Sequence, residues 1–276
     1  MDFFTRALIT GALVGACCGL TGVLVLARRR VFFTQALTHA TYPGAVGAAI
    51  IGIPIPVGAA LAGLGLVFAM TGLDRQPRQG RQVAAGIILT GGFALGAIMQ
   101  ALVPNLPIDP EAFLIGSILT SRADALIVAA VTLLGVLVVF AGWGPRLLFS
   151  SADPIGYQAA GFNPARMDAL ALLVTTATVV AALPAVGAIL MIALIAAPAQ
   201  AARLMTKNLA GNLVLAPVLG MLSVFVGLHA SRLTGIAAGS AIAMTAVLLF
   251  ILAFGWRQAL GSRGRNRVAG TASTLS

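Results

Sequence analysis

Four polar side chains lie close together in a stretch of the sequence without charge, and their spacing could place them around one ligand. They are Gln35, Thr38, His39 and Tyr42. On a helix Gln35 and His39 share one face because they are four residues apart, and Thr38 lies alongside. The pair Pro43-Gly44 can loosen this helix and free backbone carbonyls. Inside a helix bundle such a polar stripe either contacts a ligand or forms hydrogen bonds between helices, and the spacing leaves both open.

A second group of residues predicts a short capped helix within the segment 150–161. Asp153 can accept free amide hydrogens as the N-cap, and Pro154 suits the first helical position. Tyr157 follows, and Gly161 suits a left-handed stop. A helix of about two turns is marginal alone in water, so we expect it to lie against the membrane surface or a partner protein.

The elements that must position these residues are membrane helices. Of the 276 residues, 59% are hydrophobic and 9% charged, whereas soluble domains have roughly 45–50% apolar and about 25% charged residues. Charge-free runs can each hold a helix of about 20 residues. Two runs are long enough for two helices: 31–73, which is broken at 52–56, and 169–202, which is interrupted at 183–187. We therefore predict an all-α polytopic membrane protein with eight or nine transmembrane helices, the first of them retained rather than cleaved as a signal peptide.

The basic residues orient the chain. With the N-terminus outside and nine spans, fourteen of the 17 basic residues fall on one face, and Arg6, Arg122 and Arg232 on the other. Positive charge in short loops marks the cytoplasmic side. The sequence thus predicts a transmembrane domain at 1–256 with a cytoplasmic loop at 144–167, and a polar tail at 257–276 that is disordered in the cytoplasm. The net charge of +10 serves topology, and no nucleic-acid partner is expected because aromatic residues do not interleave the charges.

The acidic residues and cysteines exclude several function classes. No acid lies at a span centre, and ion-coupled transporters usually need an intramembrane carboxylate, so active transport would need an external energy source. The sequence has no HExxH or GxSxG pattern, which argues against an enzyme. Cys17 and Cys18 point about 100° apart on a helix and are interpreted as packing residues.

The stretch from Arg28 to Gly44 resembles the signature of the membrane subunits of ABC importers for zinc, manganese or iron(II). That signature has a basic pair, an aromatic residue, Gly-Asp-Ala-Leu-Ser-His and then Pro-Gly. The residues that match it are Arg29-Arg30, Phe32-Phe33, Ala36-Leu37, His39 and Pro43-Gly44. Other segments resemble the family in the same order, namely 113–119, 153–161, 186–190, 197–204 and 227–239. The resemblance covers about residues 7–255.

The resemblance implies a permease that moves a divalent transition metal ion, manganese, zinc or iron, across the bacterial inner or plasma membrane. It implies a separate ABC ATPase that couples through Asp153, Pro154, Tyr157 and Gly161, since the chain has no GxxxxGK[ST] sequence. An extracytoplasmic metal-binding protein and a second permease copy or paralogue would complete the complex in the lipid bilayer. No cofactor of its own is expected.

The chain also departs from the family signature. Gln35 stands where the family has aspartate, and a neutral amide oxygen is a weaker ligand for a divalent ion than a carboxylate. We predict that His39 contacts the ion, that Gln35 assists and that Thr38 and Tyr42 orient them. The departure leaves two further functions open: a permease for a metal chelate or another small solute, and an ATP-independent channel. His229, near the outer end of a span, either lines the entrance or is a surface residue.

Overall fold

Long apolar runs without interior charge form helices wherever the chain is described. The computed structural model describes residues 3–73, 81–103, 123–206 and 208–272, with isolated positions between 106 and 118, and within these ranges it contains α-helices and no strand. The all-α prediction is confirmed. The helices are α1 (Phe3–Ala27), α2 (Val31–Ala40), α3 (Tyr42–Ile51), α4 (Ile55–Leu73), α5 (Arg81–Leu102), α6 (Ala123–Ala152), α7 (Pro154–Ala159), α8 (Pro164–Val186), α9 (Ala188–Met205), α10 (Leu209–Thr234) and α11 (Ala238–Ala272).

Seven of the described helices are long and apolar enough to cross a membrane. They are α1, α5, α6, α8, α9, α10 and α11. The predicted hairpin at 31–73 adds α2 and α3, which follow one another with a break at Thr41, and then α4 after a turn in which Gly52 has φ +82°. When α2 with α3 counts as one crossing and α4 as another, the described helices give nine crossings, in agreement with the predicted eight or nine.

Helix α1 forms the centre of the bundle. Its apolar window is 78% buried, and it contacts α6, α8, α9 and α10. Close approach to α10 depends on small residues, because a Cβ added at Gly15 would lie 2.6 Å from the carbonyl oxygen of Gly220. Small residues at a membrane interface let helix backbones pack directly. Cys17 and Cys18 are free and buried on this central helix, as the packing interpretation expects.

Helices α5, α6 and α11 lie at the periphery. Only 17%, 11% and 22% of their apolar windows are buried. Large apolar side chains such as Val131 and Leu134 on α6 are each 63% exposed. In a membrane such surfaces face lipid or another membrane subunit, since hydrocarbon chains solvate them without cost.

Two boundaries differ from the sequence expectation. The predicted loop at 144–167 is largely helical, because α6 continues through Pro145 to Ala152 and α8 begins at Pro164. A membrane helix tolerates an internal proline when neighbouring groups satisfy the freed carbonyl. At the other end, α11 is helical to Ala272, where the sequence predicts a disordered tail from 257. Arginine, glutamine and alanine favour the helix and no proline interrupts the segment, while Gly261, Gly264 and Gly270 oppose it.

Candidate functional site

His39 lies in the last turn of α2, just before the break that separates α2 from α3. Its ring contacts the ring of Phe93 on α5 edge to face, with centroids 5.7 Å apart. The Nδ1 atom is buried and has no hydrogen-bond partner among the described residues. A buried polar atom without a partner is costly, and it needs an explanation such as an absent ligand. His39 therefore holds a ring nitrogen that no described side chain or backbone group satisfies.

Gln35 lies one turn earlier on α2 and is partly exposed. Its backbone carbonyl accepts a hydrogen bond of 2.8 Å from the Thr38 hydroxyl. The Thr41 hydroxyl in turn donates to the Thr38 carbonyl over 2.9 Å. Both threonines are fully buried, and their hydroxyls bond to the helix backbone rather than to the side chains of Gln35 or His39.

Tyr42 is completely buried at the start of α3. Its ring stacks on Phe93 with centroids 5.3 Å apart and tilts against Phe113 at 4.8 Å. Its hydroxyl donates a hydrogen bond to the side-chain oxygen of Gln100. Tyr42 and His39 thus contact the same phenylalanine, and Phe93 links the position of the Tyr42 ring to that of the His39 ring.

Helix α5 packs against the α2–α3 break through two small residues. A Cβ at Gly92 would lie 2.9 Å from the Cα of Ala40, and a Cβ at Gly96 would collide with the Tyr42 ring. Sequence reasoning did not single out α5, Phe93 or Gln100. The signal that could have found them is the Gly-x-x-x-Gly spacing of 92 and 96, which is typical of close helix contacts in membranes.

Among the residues that the structure describes, no cluster of carboxylates lies around His39. In the described ranges no group of three or more His, Cys, Asp or Glu side chains could hold a metal ion. Asp2, Asp74, Asp109 and Glu111 lie outside the described residues. The described neighbourhood of His39 therefore offers neutral nitrogen and oxygen donors, which bind divalent transition metals more loosely than a carboxylate set.

The predicted short helix on the cytoplasmic side is present as α7. The Asp153 carboxylate accepts from the Gly156 amide over 2.8 Å as the N-cap, and Pro154 occupies the first turn. Gly161 follows the helix with φ +84°. Residues 150–152, which the sequence reading included, belong instead to the end of α6. Each cap residue therefore has the local geometry that its type predicts.

Tyr157 packs α7 against the neighbouring aromatic residues, whereas Ile155 on the same helix is exposed. The Tyr157 side chain is 2% exposed and packs between Phe149 at 5.4 Å and Phe162 at 5.1 Å. Ile155 is 82% exposed, and the Arg146 guanidinium lies over the Phe162 ring at 5.8 Å. Ile155 is therefore the large apolar side chain that α7 leaves uncovered.

A buried ion cluster joins the α1–α2 turn to α8, and sequence reasoning did not single it out. Arg28 donates to Asp168 Oδ1 over 2.6 Å, and Arg30 donates to Asp168 Oδ2 over 2.7 Å. Burial lowers the pKa of the Arg28 guanidinium, and the Asp168 carboxylate opposes that shift. Because the unperturbed pKa of arginine lies far above 7, Arg28 stays charged.

A cavity of about 410 Å³ opens beside the start of α1 and the end of α10, which the predicted topology places on the outer side. Phe4 and Arg232 are among its lining residues, and the Arg232 guanidinium lies over the Phe4 ring at 4.8 Å. His229 packs on Phe4 at 5.4 Å and shares a 2.8 Å hydrogen bond between Nδ1 and the Phe225 carbonyl. His229 therefore lies at the edge of the outer cavity with one ring nitrogen already engaged.

Comparison with known proteins defines the class. Residues 1–257 match the ABC 3 transport family, and this chain belongs to that family. Family membership and the apolar helices together make it a multi-pass permease of the bacterial inner membrane.

Individual relatives carry more specific descriptions. The chain is 32% identical over 254 residues to the manganese transport system membrane protein MntC of Halalkalibacterium halodurans, which covers 92% of this chain and 87% of that protein. It is 28% identical to the chelated iron transport system membrane protein YfeC of Yersinia pestis, over 92% of this chain and 86% of the relative. Among solved structures, PsaBC from Streptococcus pneumoniae in complex with Fab matches with a TM-score of 0.84 and 27% identity, over 92% of this chain and 91% of that chain.

Proposed function

We propose that this chain is the membrane permease of an ATP-driven importer whose cargo is a divalent transition metal ion, manganese, zinc or iron. The observation that carries the proposal is the buried, unpartnered Nδ1 of His39, in a chain whose relatives are described as manganese and iron transport proteins. Imidazole nitrogen suits zinc and iron, whereas manganese prefers oxygen donors such as the Gln35 amide.

In the proposed mechanism the ion passes His39 and does not remain there. Gln35 lies on the same helical face and supplies an amide oxygen. Thr38 shapes the α2 backbone through its hydrogen bond to Gln35, and Tyr42 fixes Phe93, on which His39 rests. Few and neutral donors give weak binding, which suits a pathway because a site that holds its ion tightly releases it slowly.

The energy would come from a separate ABC ATPase docked on α7. Ile155 offers an apolar contact, while Asp153, Pro154 and Gly161 fix the helix ends and Tyr157 fixes its inner face. The remaining partners in the proposal are an extracytoplasmic metal-binding protein at the outer cavity and a second permease copy or paralogue in the bilayer.

Metal accumulation in cells that express the full complex tests the site. We expect His39→Ala to reduce accumulation at least about tenfold, as the loss of roughly 1.4 kcal/mol of ion binding would. Leu252→Ala is the control, since Leu252 is a peripheral side chain of α11 that is 66% exposed, and it should retain most activity. If His39→Ala accumulates metal like the parent, His39 is structural and the site is wrong.

A chelated metal is the second candidate cargo. The absence of a cluster of metal-ligating side chains in the described ranges favours it, since a chelator would supply the ligands that the protein does not. Uptake that requires the chelator would support this alternative, and uptake of the bare ion would exclude it.

A further inference from the structure

The ion cluster beneath the cytoplasmic surface ties together three segments that are distant in sequence. Asp168, in the first turns of α8, binds both Arg28 and Arg30 from the turn between α1 and α2. Arg28 also donates to the Ser150 hydroxyl over 2.8 Å and to the Leu147 carbonyl over 3.5 Å, both in the last turns of α6. A single guanidinium thus bridges α6 and α8.

The two guanidinium groups of the cluster are largely shielded from water, and the carboxylate that they share is partly exposed. The Arg28 side chain is 8% exposed, that of Arg30 is 12% exposed and that of Asp168 is 28% exposed. Two buried cations share one carboxylate, so desolvation costs more than it would for a simple pair. Such a cluster adds little net stability compared with apolar residues of similar volume, whereas it fixes which groups of the α1–α2 turn, α6 and α8 meet.

The backbone of the turn selects which arginines enter the cluster. Arg29 has φ +55°, in the left-handed region, and its side chain is exposed. The arginines on either side of it both reach Asp168. Of the three consecutive arginines, Arg28 and Arg30 thus lie in the cluster and Arg29 lies on the surface. Arg29 is therefore the control for substitutions in the cluster.

The position of the cluster connects the two candidate functional regions. α7 links the end of α6 to the start of α8, which are the two helix ends that Arg28 bridges. Arg30, the other cation of the cluster, immediately precedes α2. His39 lies nine residues after Arg30, which corresponds to about 13.5 Å along an α-helix. A displacement of α7 would therefore move the base of the helix that carries His39.

We propose that Arg28, Arg30 and Asp168 are positioning residues that transmit the displacement of α7 to α2. This inference rests on the proposed function. While the ion pairs of the cluster are intact, α2 moves together with α6 and α8. When the ion pairs are broken, α7 moves without α2. The variants below therefore uncouple ATP hydrolysis from movement of the ion.

The test uses the complete complex of permease, ATPase and binding protein in proteoliposomes. Arg30→Gln removes one cation and leaves the Arg28–Asp168 pair, so the fold should persist. We expect the ATPase to co-purify and hydrolyse ATP within about twofold of the parent rate, while ions moved per ATP fall at least about tenfold. Asp168→Asn should lower the number of ions moved per ATP at least as much as Arg30→Gln does. Asp168→Glu, which keeps the charge, should lower it less. Arg29→Asn should behave like the parent.

A second readout does not depend on the cargo. Phe32 on α2 is 46% exposed, so a fluorophore on Phe32→Cys should report an ATP-dependent change in the parent complex. That change should disappear when Arg30→Gln is added. A persistent change, an unaltered ratio of ions to ATP, or loss of the ATPase from the Arg30→Gln complex would each overturn the inference. Failure of the parent to move metal would count against the proposed function, while the fluorescence change would still decide the role of the cluster.

Discussion

At the scale of single residues, the cargo path depends on which donors surround His39. Gln35 replaces the aspartate of the family signature, and its carboxamide carries no charge to balance a divalent ion. His39 has a buried nitrogen without a partner in the described chain. In the proposed mechanism these few neutral donors give the ion only a brief contact.

Gln35→Asp should strengthen ion binding, because a carboxylate one helical turn from His39 adds charge to the same face. We expect half-maximal uptake at a metal concentration at least about tenfold lower, with a lower maximal rate because release becomes slower. Initial uptake rates over a range of manganese concentrations measure both. Gln35→Asn, which shortens the side chain without adding charge, is the control, and an unchanged concentration dependence in Gln35→Asp would remove Gln35 from the path.

Residue types and spacing were enough to single out Gln35 and His39, because both lie on one helix and helical geometry is local. The same reasoning could not reach Phe93 or Gln100. Their importance arises only when α5 packs on the α2–α3 break, and that contact joins residues about 50 positions apart in sequence. The ion pairs of Asp168 could not be predicted for the same reason, since its partners precede it by 138 and 140 residues.

At the scale of elements, two short structures position the functional residues: the α2–α3 break and α7. Glycines on α5 cradle the break, and aromatic residues hold α7 against α6 and α8. The caps of α7 were predictable because Asp, Pro and Gly each act through their own local geometry. The end of α6 at Ala152 was not predictable, because a helix continues through Pro145 only where tertiary neighbours permit it.

Gly96→Val should displace the Tyr42 ring, since even a Cβ at this position collides with it. We expect a stable, inserted protein whose metal uptake falls several-fold as the contact between His39 and Phe93 is lost. The control is Gly91→Val, because a Cβ at Gly91 would meet nothing within 4 Å. Equal uptake by the two variants would contradict the role of Tyr42 in orienting the site.

Ile155→Asp should abolish ATPase co-purification while leaving insertion in the membrane unchanged, because it places a charge on the exposed apolar contact of α7. Deletion of 151–161 should have the same effect. Gln158→Asp adds the same charge at another exposed position of α7 and should retain the ATPase if Ile155 is the contact. Undiminished co-purification of the Ile155→Asp protein would exclude α7 as the docking element.

At the scale of the whole molecule, hydropathy predicted the approximate number of crossings, because polar groups are costly in lipid. The orientation that the basic residues indicate stays a prediction. Hydropathy and charge could not predict that α1 is central while α5, α6 and α11 are peripheral, because all of these helices are uniformly apolar. The arrangement gives one connected route from α7 through the Arg28–Asp168 cluster to α2 and His39.

The most direct test of this account is ion uptake by the purified complex in proteoliposomes, measured with ATP, without ATP and with a non-hydrolysable ATP analogue. The account predicts that manganese, zinc or iron enters only with hydrolysable ATP and that His39→Ala abolishes this entry. Uptake at the parent rate without ATP would identify a channel, and ATP-dependent uptake that is indifferent to His39→Ala would contradict the assigned path.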